Sequence, residues 1–282
     1  MPPIPDSHFP LTGPIAFIGG GNMARSLIGA LIRGGANARS IAVAEPDAGL
    51  RGALASDFGV EVHARNADAI RTAETIVLAV KPQVMRDVCA EIGAAMGSAT
   101  PLIVSIAAGI RLDQIEEWIG AGVPIVRAMP NTPALIGAGA TGLIANARTN
   151  GDERARAEAM LGAAGRTAWI EREELMDTVT ALSGSGPAYF FLLVEALEDA
   201  AAAQGLPRAT GRMLASQTCL GAGRMLAESG EAPATLRERV TSPGGTTAAA
   251  LQAFDAGGLR ELVATAVAAA TERGRQLSAR DN

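Results

Sequence analysis

Five short apolar runs in the first half of the chain are continuous rather than alternating: PIAFIGG at 14–20, SIAVAE at 40–45, TIVLAV at 75–80, PLIVSIA at 101–107 and PIVRAM at 124–129. A strand with one wet face alternates apolar and polar residues, so a continuous run marks a strand covered on both faces. Strands of that kind pair in parallel, and parallel neighbours need a crossover, usually a helix. The interval after the first run supplies one: Ala24, Leu27, Ile28 and Leu31 recur at helical spacing, and Gly34 and Gly35 stop the pattern. A surface helix is expected at 152–164 and a last strand at TAWI, 167–170. The expected class for this half is α/β, with a doubly wound, mostly parallel sheet.

The texture changes near the acidic cluster at 171–174, after which no strand-like run survives. Helices are expected at 187–203, 210–228, 248–255 and 259–277, the first with Phe190, Phe191, Val194, Leu197 and Ala201 facing a core. Helices this apolar and alanine-rich are either their own core or a subunit interface. The chain therefore divides into a tail at 1–13, an α/β part at 14–172 and an all-helical part at 173–282.

Bulk properties remove several function classes. A net charge of −5 argues against nucleic acid or an anionic membrane as the main partner. No apolar run reaches the roughly 18 residues of a membrane span, and MPPIPDSHFP has neither the basic nor the apolar region of a signal peptide. These features lead to the expectation of a cytoplasmic protein. The two cysteines, Cys89 and Cys219, lack CxxC spacing and read as reduced thiols. With His8 and His63 as the only histidines, neither a histidine dyad nor a histidine metal site is expected.

Chemistry gathers at the ends of the apolar runs. IGGGNMA at 18–24 is a G-x-G-x-x-A pattern of Gly19, Gly21 and Ala24, placed after a strand and before a helix. The first glycine permits the turn, the second admits a pyrophosphate to the backbone, and the helix start offers free N–H groups. Glu45, ending the second run, is placed to take adenosine ribose hydroxyls and leans towards NADH, or it merely starts a turn before Pro46. Arg25, Arg51 and Arg65 are the alternative, as partners of a 2′-phosphate. Lys81, the single lysine, stands in AVKP at another strand end, where it can reach a ribose hydroxyl or be an ordinary loop residue. SIAAG at 105–109 and MPNTP at 129–133 occupy equivalent ends, and their small residues and amide suit a flat nicotinamide ring.

In the helical half, TSPGGTTAAAL at 241–251 is a turn that opens a helix, with free N–H groups for a carboxylate and hydroxyls for a ring nitrogen. An N-capped helix with no ligand is the plainer alternative. LSGSGPAYFF at 182–191 has the same small-residue approach to a helix, and Tyr189 there is either a proton donor or packing.

Taken in order, FIGGGNMA, AVKPQ, VSIAAG, RAMPNTPA, LSGSGPAYFF and SPGGTT resemble the pyrroline-5-carboxylate reductases, from about Ile15 to Leu277. The resemblance implies a Rossmann domain followed by a helical domain that interlocks two subunits, as a homodimer or a ring of five dimers. It implies NADPH or NADH as coenzyme, 1-pyrroline-5-carboxylate as substrate and L-proline as product. On this likeness the pyrophosphate lies on Ile18, Gly19, Gly20, Gly21, Asn22 and Met23. Asn66 lies near the adenosine, while Ala79, Val80, Lys81 and Pro82 with Ile106, Ala107 and Ala108 line the ribose and nicotinamide. Ser242, Thr246 and Thr247 match substrate contacts, Thr247 the catalytic one, and Glu173 matches an acidic residue near the proline site. No metal is implied. Glu45 departs from many members, so the coenzyme preference does not carry over. Hydroxyacid dehydrogenases generally use a lysine in the helical domain, which this chain lacks. A non-catalytic dinucleotide sensor would need no SPGGTT.

Overall fold

A computed structural model of the chain describes residues 13–120 and 122–279. His8 and the tail expected at 1–13, save Gly13, lie outside the described residues. The fold is built on an eight-stranded sheet in the order β3-β2-β1-β4-β5-β6-β7-β8. Its strands are β1 (Ile15–Ile18), β2 (Ile41–Ala44), β3 (Glu61–His63), β4 (Thr75–Leu78), β5 (Leu102–Ser105), β6 (Ile125–Met129), β7 (Gly139–Ala145) and β8 (Gly165–Trp169). β1 to β6 are parallel, β7 runs antiparallel to β6, and β8 runs parallel to β7. All six expected strands are present. β3 and β7 were not expected.

Both faces are covered, as the continuous runs require. Phe17, Val43, Val77, Val104 and Val126 point to one core, closed by α1 (Asn22–Arg33), α2 (Ala48–Phe58) and α6 (Gly151–Gly162). Their alternates Ile18, Ala44, Ile76, Ile103 and Ile125 point to the other, under α3 (Asn66–Ala69), α4 (Met85–Met96) and α5 (Leu112–Ile119). Leu27, Ile28 and Leu31 of α1 are fully buried, and each contributes about 1.5–3 kcal/mol. Arg33 closes the last turn, and Gly35, at φ 96°, turns the chain.

The chain forms two compact units. One holds the residues up to Gly184 and those from Ala270 on, and the other is Ser185–Ala269. Besides the sheet, the first includes α7 (Met176–Val179), a π-helical turn at Thr180–Gly184 and the last turns of α12 (Leu259–Ala279). There Ser278 Oγ donates to Asp177 Oδ1 at 3.5 Å.

The second unit holds α8 (Gly186–Ala203), α9 (Arg208–Glu228), α10 (Pro233–Arg239), α11 (Thr246–Ala256) and the start of α12. α8 and α9 pack on one another, and Glu198 binds Arg212 and Arg208 across them. The face expected to meet a core does not do so within the chain: Phe190 is 59% and Phe191 68% exposed. Among the described residues of this unit, Gly186, Glu198 and Gly211 are the buried ones, and none has a large apolar side chain. No helix among the described residues is long and apolar enough to cross a membrane.

Candidate functional site

The carboxyl ends of β2, β1, β4 and β5 lie side by side: Ile18 is in register with Ala44 and Leu78, and Leu78 with Ser105. The chain goes to one side of β1 first and to the other afterwards, so β1 and β4 flank the point where strand order reverses, which is where doubly wound sheets open a crevice for ligands. The sequence predicts a ligand loop at each of these ends, and the fold brings them together.

The first loop shows why it is made of glycine. Gly19 has φ 97°, and a Cβ on it would stand 2.7 Å from the Ala79 carbonyl oxygen. A side chain there would force β1 and β4 apart. Gly21 is different: it has an ordinary φ of −68° and, among the described residues, no atom within 4 Å of where a Cβ would stand. Among the described residues nothing requires its missing side chain and no side chain caps the N-terminus of α1, to which an open approach is left. An anion with room to meet those N–H groups is what this cradle accepts. Ile18 and Gly20 are buried, Asn22 is exposed and Met23 is half-buried beside it.

Glu45 is 8% exposed and turned inward. Its Oε2 accepts from the Gly20 N–H at 2.8 Å and its Oε1 from the Asp47 N–H at 3.0 Å. The carboxylate buttresses the glycine loop from below. The arginines offered as phosphate partners are also engaged: Arg25 pairs with Asp57, Arg51 donates to the Glu45 and Pro46 carbonyls at 2.7 Å, and Arg65 pairs with Asp68 at 2.8 Å. Asn66 opens α3 and donates to Glu91 Oε2 at 2.8 Å. Ala79 and Val80 are half-buried after β4, and Lys81 stands exposed before a turn that begins at Pro82. Ile106 and Ala107 are buried and Ala108 exposed at the end of β5.

The amide of MPNTP is spent internally. Asn131 Nδ2 donates to the Ser183 carbonyl and Oδ1 accepts from the Ala140 N–H, both at 2.9 Å. It staples this loop to β7 and the π-helical turn, and is not presented to a ligand ring.

Arg127 was not singled out from the sequence. It is 2% exposed on β6, and its Nη1 lies 2.6 Å from Oε1 of Glu173, whose side chain is 13% exposed. The available signal was a lone arginine in an apolar strand run, which has to find a buried partner. Cys89 is buried, and burial pushes its thiol up to about 12, so it is no nucleophile.

A second cluster belongs to the helical unit. Gly244 at φ 67° and a Gly245 N–H to Ser242 carbonyl bond of 3.0 Å close the SPGG turn. Gly245 then N-caps α11 with no side chain bonded over it, leaving the N–H groups of Thr246 and Thr247 uncapped. Ser242 and Thr246 are exposed and Thr247 half-buried.

Comparison with known proteins matches separate family models to the two halves of the sequence. A family model described as pyrroline-5-carboxylate reductase dimerisation matches residues 173–277, and one described as NADP oxidoreductase, coenzyme F420-dependent, matches 14–109. The Pseudomonas aeruginosa pyrroline-5-carboxylate reductase is 48% identical over 94% of this chain and 96% of its own. The Glycine max enzyme is 39% identical over 98% of each. A pyrroline-5-carboxylate reductase structure from Coxiella burnetii overlays with a TM-score of 0.92 at 42% identity, covering 95% of this chain and 99% of that one. The Plasmodium falciparum enzyme, solved with NADP bound, gives 0.82 at 29% identity over 95% and 98%. With such likeness over nearly its whole length and on both of its parts, the chain belongs to the pyrroline-5-carboxylate reductase family.

Proposed function

We propose that this chain is a pyrroline-5-carboxylate reductase that uses NADPH or NADH to reduce 1-pyrroline-5-carboxylate to L-proline, as a cytoplasmic homo-oligomer joined through its helical half. The coenzyme part is 14–172 and the substrate and dimerisation part 173–282. The observation that carries the substrate side is the uncapped start of α11 inside SPGGTT. A carboxylate placed there accepts from free backbone N–H groups at the positive end of a helix.

On the coenzyme side, the open cradle at Gly21 fits a pyrophosphate. Ile18 to Met23 would hold the phosphates. Asn66 would sit by the adenosine, Ala79 to Pro82 by the ribose, and Ile106 to Ala108 by the ring. A reduced nicotinamide held there supplies the hydride. Glu45 would act from beneath the loop, its negative charge disfavouring a 2′-phosphate nearby.

The chain's own task is positioning. A protonated imine is already a strong electrophile, so the protein has to hold its carbon at about 3–3.5 Å from the donor. Ser242 and Thr246 fix the carboxylate. The ring N–H donates to the Thr247 hydroxyl, which sets the orientation of the imine and keeps its proton in place. No histidine acid is needed, because the nitrogen keeps its proton as the carbon is reduced. The exposed Phe190, Phe191 and Leu192 of α8 support assembly.

The test is oxidation of NADH and of NADPH, separately, by purified protein with pyrroline-5-carboxylate. Turnover is the expected result, and tight coenzyme binding without it would overturn the assignment. A higher kcat/KM with NADH would assign selectivity to the Glu45 charge. A higher value with NADPH would assign it to an arginine released from its carboxylate partner.

A further inference from the structure

The Arg127–Glu173 pair is costly where it stands. Arg127 Nη2 and Glu173 Oε2 are buried without a hydrogen-bond partner among the described residues. A buried ion pair that leaves two of its five side-chain polar atoms unpaired adds little to stability, and an apolar pair of the same volume commonly does as well or better. Its presence therefore calls for an account in terms of what it holds.

What it holds is the end of one loop. Glu173 Oε1 accepts from Arg127 Nη1 at 2.6 Å and from the Leu112 N–H at 3.2 Å. Leu112 is the first residue of α5, so the carboxylate also meets the positive end of that helix. Between β5 and Leu112 runs the stretch IAAGIR. Its near end is tied to the sheet: the Ile106 N–H donates to the Leu78 carbonyl at 3.1 Å and the Ala107 N–H to Ser105 Oγ at 3.4 Å. Gly109 turns it at φ 79°, and Ile110 is fully buried. Its far end is tied by the Arg111 N–H to Gln114 Oε1 at 2.9 Å and by Leu112 to Glu173. Arg127 is in register with Ser105 on the neighbouring strand, so the clamp and the near anchor rise from adjacent positions of the sheet.

We infer that Arg127 and Glu173 are positioning residues for the nicotinamide half of the coenzyme, acting through the 106–112 loop from behind. Glu173 thereby takes a place on the coenzyme side instead of the direct substrate contact that the family resemblance implies. This inference rests on the assignment of Ile106, Ala107 and Ala108 to the nicotinamide end. Arg127 touches no reacting atom. Its work is to hold the Glu173 carboxylate fixed, so that a single oxygen serves both the arginine and the helix start.

Removing one member of a buried pair strands the other, so Glu173→Gln alone risks a misfolded protein. The decisive variant is the double substitution Arg127→Met with Glu173→Leu, which removes both charges, keeps the volume and leaves the Leu112 N–H without its acceptor. Calorimetric titration with NADH and with ADP compares the whole coenzyme with its adenosine half. The double variant should bind NADH about tenfold more weakly, the size of a loop-ordering cost, while ADP affinity stays as in wild type. Amide hydrogen exchange at 106–112 should speed up in the coenzyme-free protein. Arg127→Lys, which keeps a charge facing Oε1, should restore most of the NADH affinity. Equal weakening of NADH and ADP would reduce the pair to a general structural role and overturn the inference. An unchanged NADH-to-ADP ratio with a raised KM for pyrroline-5-carboxylate would overturn it in favour of a substrate contact. If wild type fails to reduce pyrroline-5-carboxylate, the functional assignment falls, while the binding ratio and the exchange rates still decide the clamp.

Discussion

The glycine loop offers an experiment that separates folding from binding by moving one methyl group. Gly19→Ala places a Cβ 2.7 Å from the Ala79 oxygen, 3.0 Å from the Ala79 carbonyl carbon and 3.1 Å from Val80 Cγ1, on a backbone at φ 97°. Two of the three atoms are backbone and cannot rotate away. The positive φ costs an L-residue about 1–2 kcal/mol and the overpacking about 1–3 kcal/mol, so the loss should be about 2–5 kcal/mol. For a chain of this size that lowers Tm by roughly 3–8 °C. Gly21→Ala meets nothing within 4 Å at φ −68°. Its folding cost is the helix N-cap preference of glycine over alanine, about 1 kcal/mol or less. The new methyl does fill the approach to the α1 N-terminus. Losing one charge-assisted hydrogen bond to a phosphate costs about 1.5–3 kcal/mol, a weakening of roughly 10- to 100-fold. Urea unfolding followed by circular dichroism reads the first quantity and calorimetric titration with NADH the second. Gly21→Ala should unfold close to wild type and bind poorly. If the two variants lose stability equally, or if Gly21→Ala binds NADH like wild type, the distinction between a packing glycine and a ligand glycine is wrong.

Three further outcomes are expected. Thr247→Ala should lower turnover about 10²-fold, an orientation effect, with NADH affinity little changed; wild-type turnover in a steady-state assay would remove Thr247 from the mechanism. The Glu198 carboxyl is held below the usual carboxylate range, first by the hydrogen bond from Arg212, with burial opposing and Arg208 adding charge. A lowered folded pKa means its stabilisation is present above about pH 4.3, the ordinary glutamate value, and is lost as pH falls through the lowered value. Thermal melts from neutral to acid pH should therefore show a fall that Glu198→Gln lacks, and parallel curves for the two proteins would contradict the pairing. Phe191→Asp with Leu192→Asp should shift sedimentation from an oligomer to a smaller species; a wild-type protein that sediments as a folded monomer would refute assembly through α8.

The sheet was legible because both of its faces are covered by the same chain. A strand such as TIVL carries its environment in its own composition, and all five expected strands of this kind are present. The two missed strands lack that signature for different reasons. β3 is three residues at the sheet edge and leaves Glu61 exposed, so nothing in EVH separates it from a loop. β7 reads GATGLIA, which resembles turn sequence. Its Gly142 is there because Val179 packs against the strand: a Cβ would lie 2.5 Å from Val179 Cγ1. A close approach by another element is a tertiary fact, and no local pattern encodes it. The loop residues proposed for the coenzyme side were singled out because glycine, proline and strand ends are local signals. Their internal partners were not. Glu45 and Asn131 were given to ligands, yet Glu45 spends both oxygens on backbone N–H groups and Asn131 bonds through both ends of its amide. Buried polar groups must be satisfied, so a polar residue at a strand end serves the loop before it serves a ligand.

The helical half shows the opposite relation between pattern and packing. The spacing of Phe190, Phe191, Val194 and Leu197 correctly marks a helix, and α8 spans Gly186–Ala203. Apolar spacing leaves two alternatives, a core of the helices' own or a subunit interface, and a core of their own is not formed among the described residues. A small domain that folds alone buries about 60% of the surface its unfolded chain exposes, whereas Ser185–Ala269 buries no large apolar side chain among its described residues. Such a segment cannot offset the entropy of ordering its helices by its own contacts. The missing apolar contacts must come from outside the segment, and the dimerisation family model that matches 173–277 indicates a second copy as the source. Ser242, Thr246 and Thr247 are carried by this same unit. Order at the start of α11 therefore depends on whatever covers α8, and on the proposed function assembly would be a condition of the substrate side of the chemistry, not an addition to it.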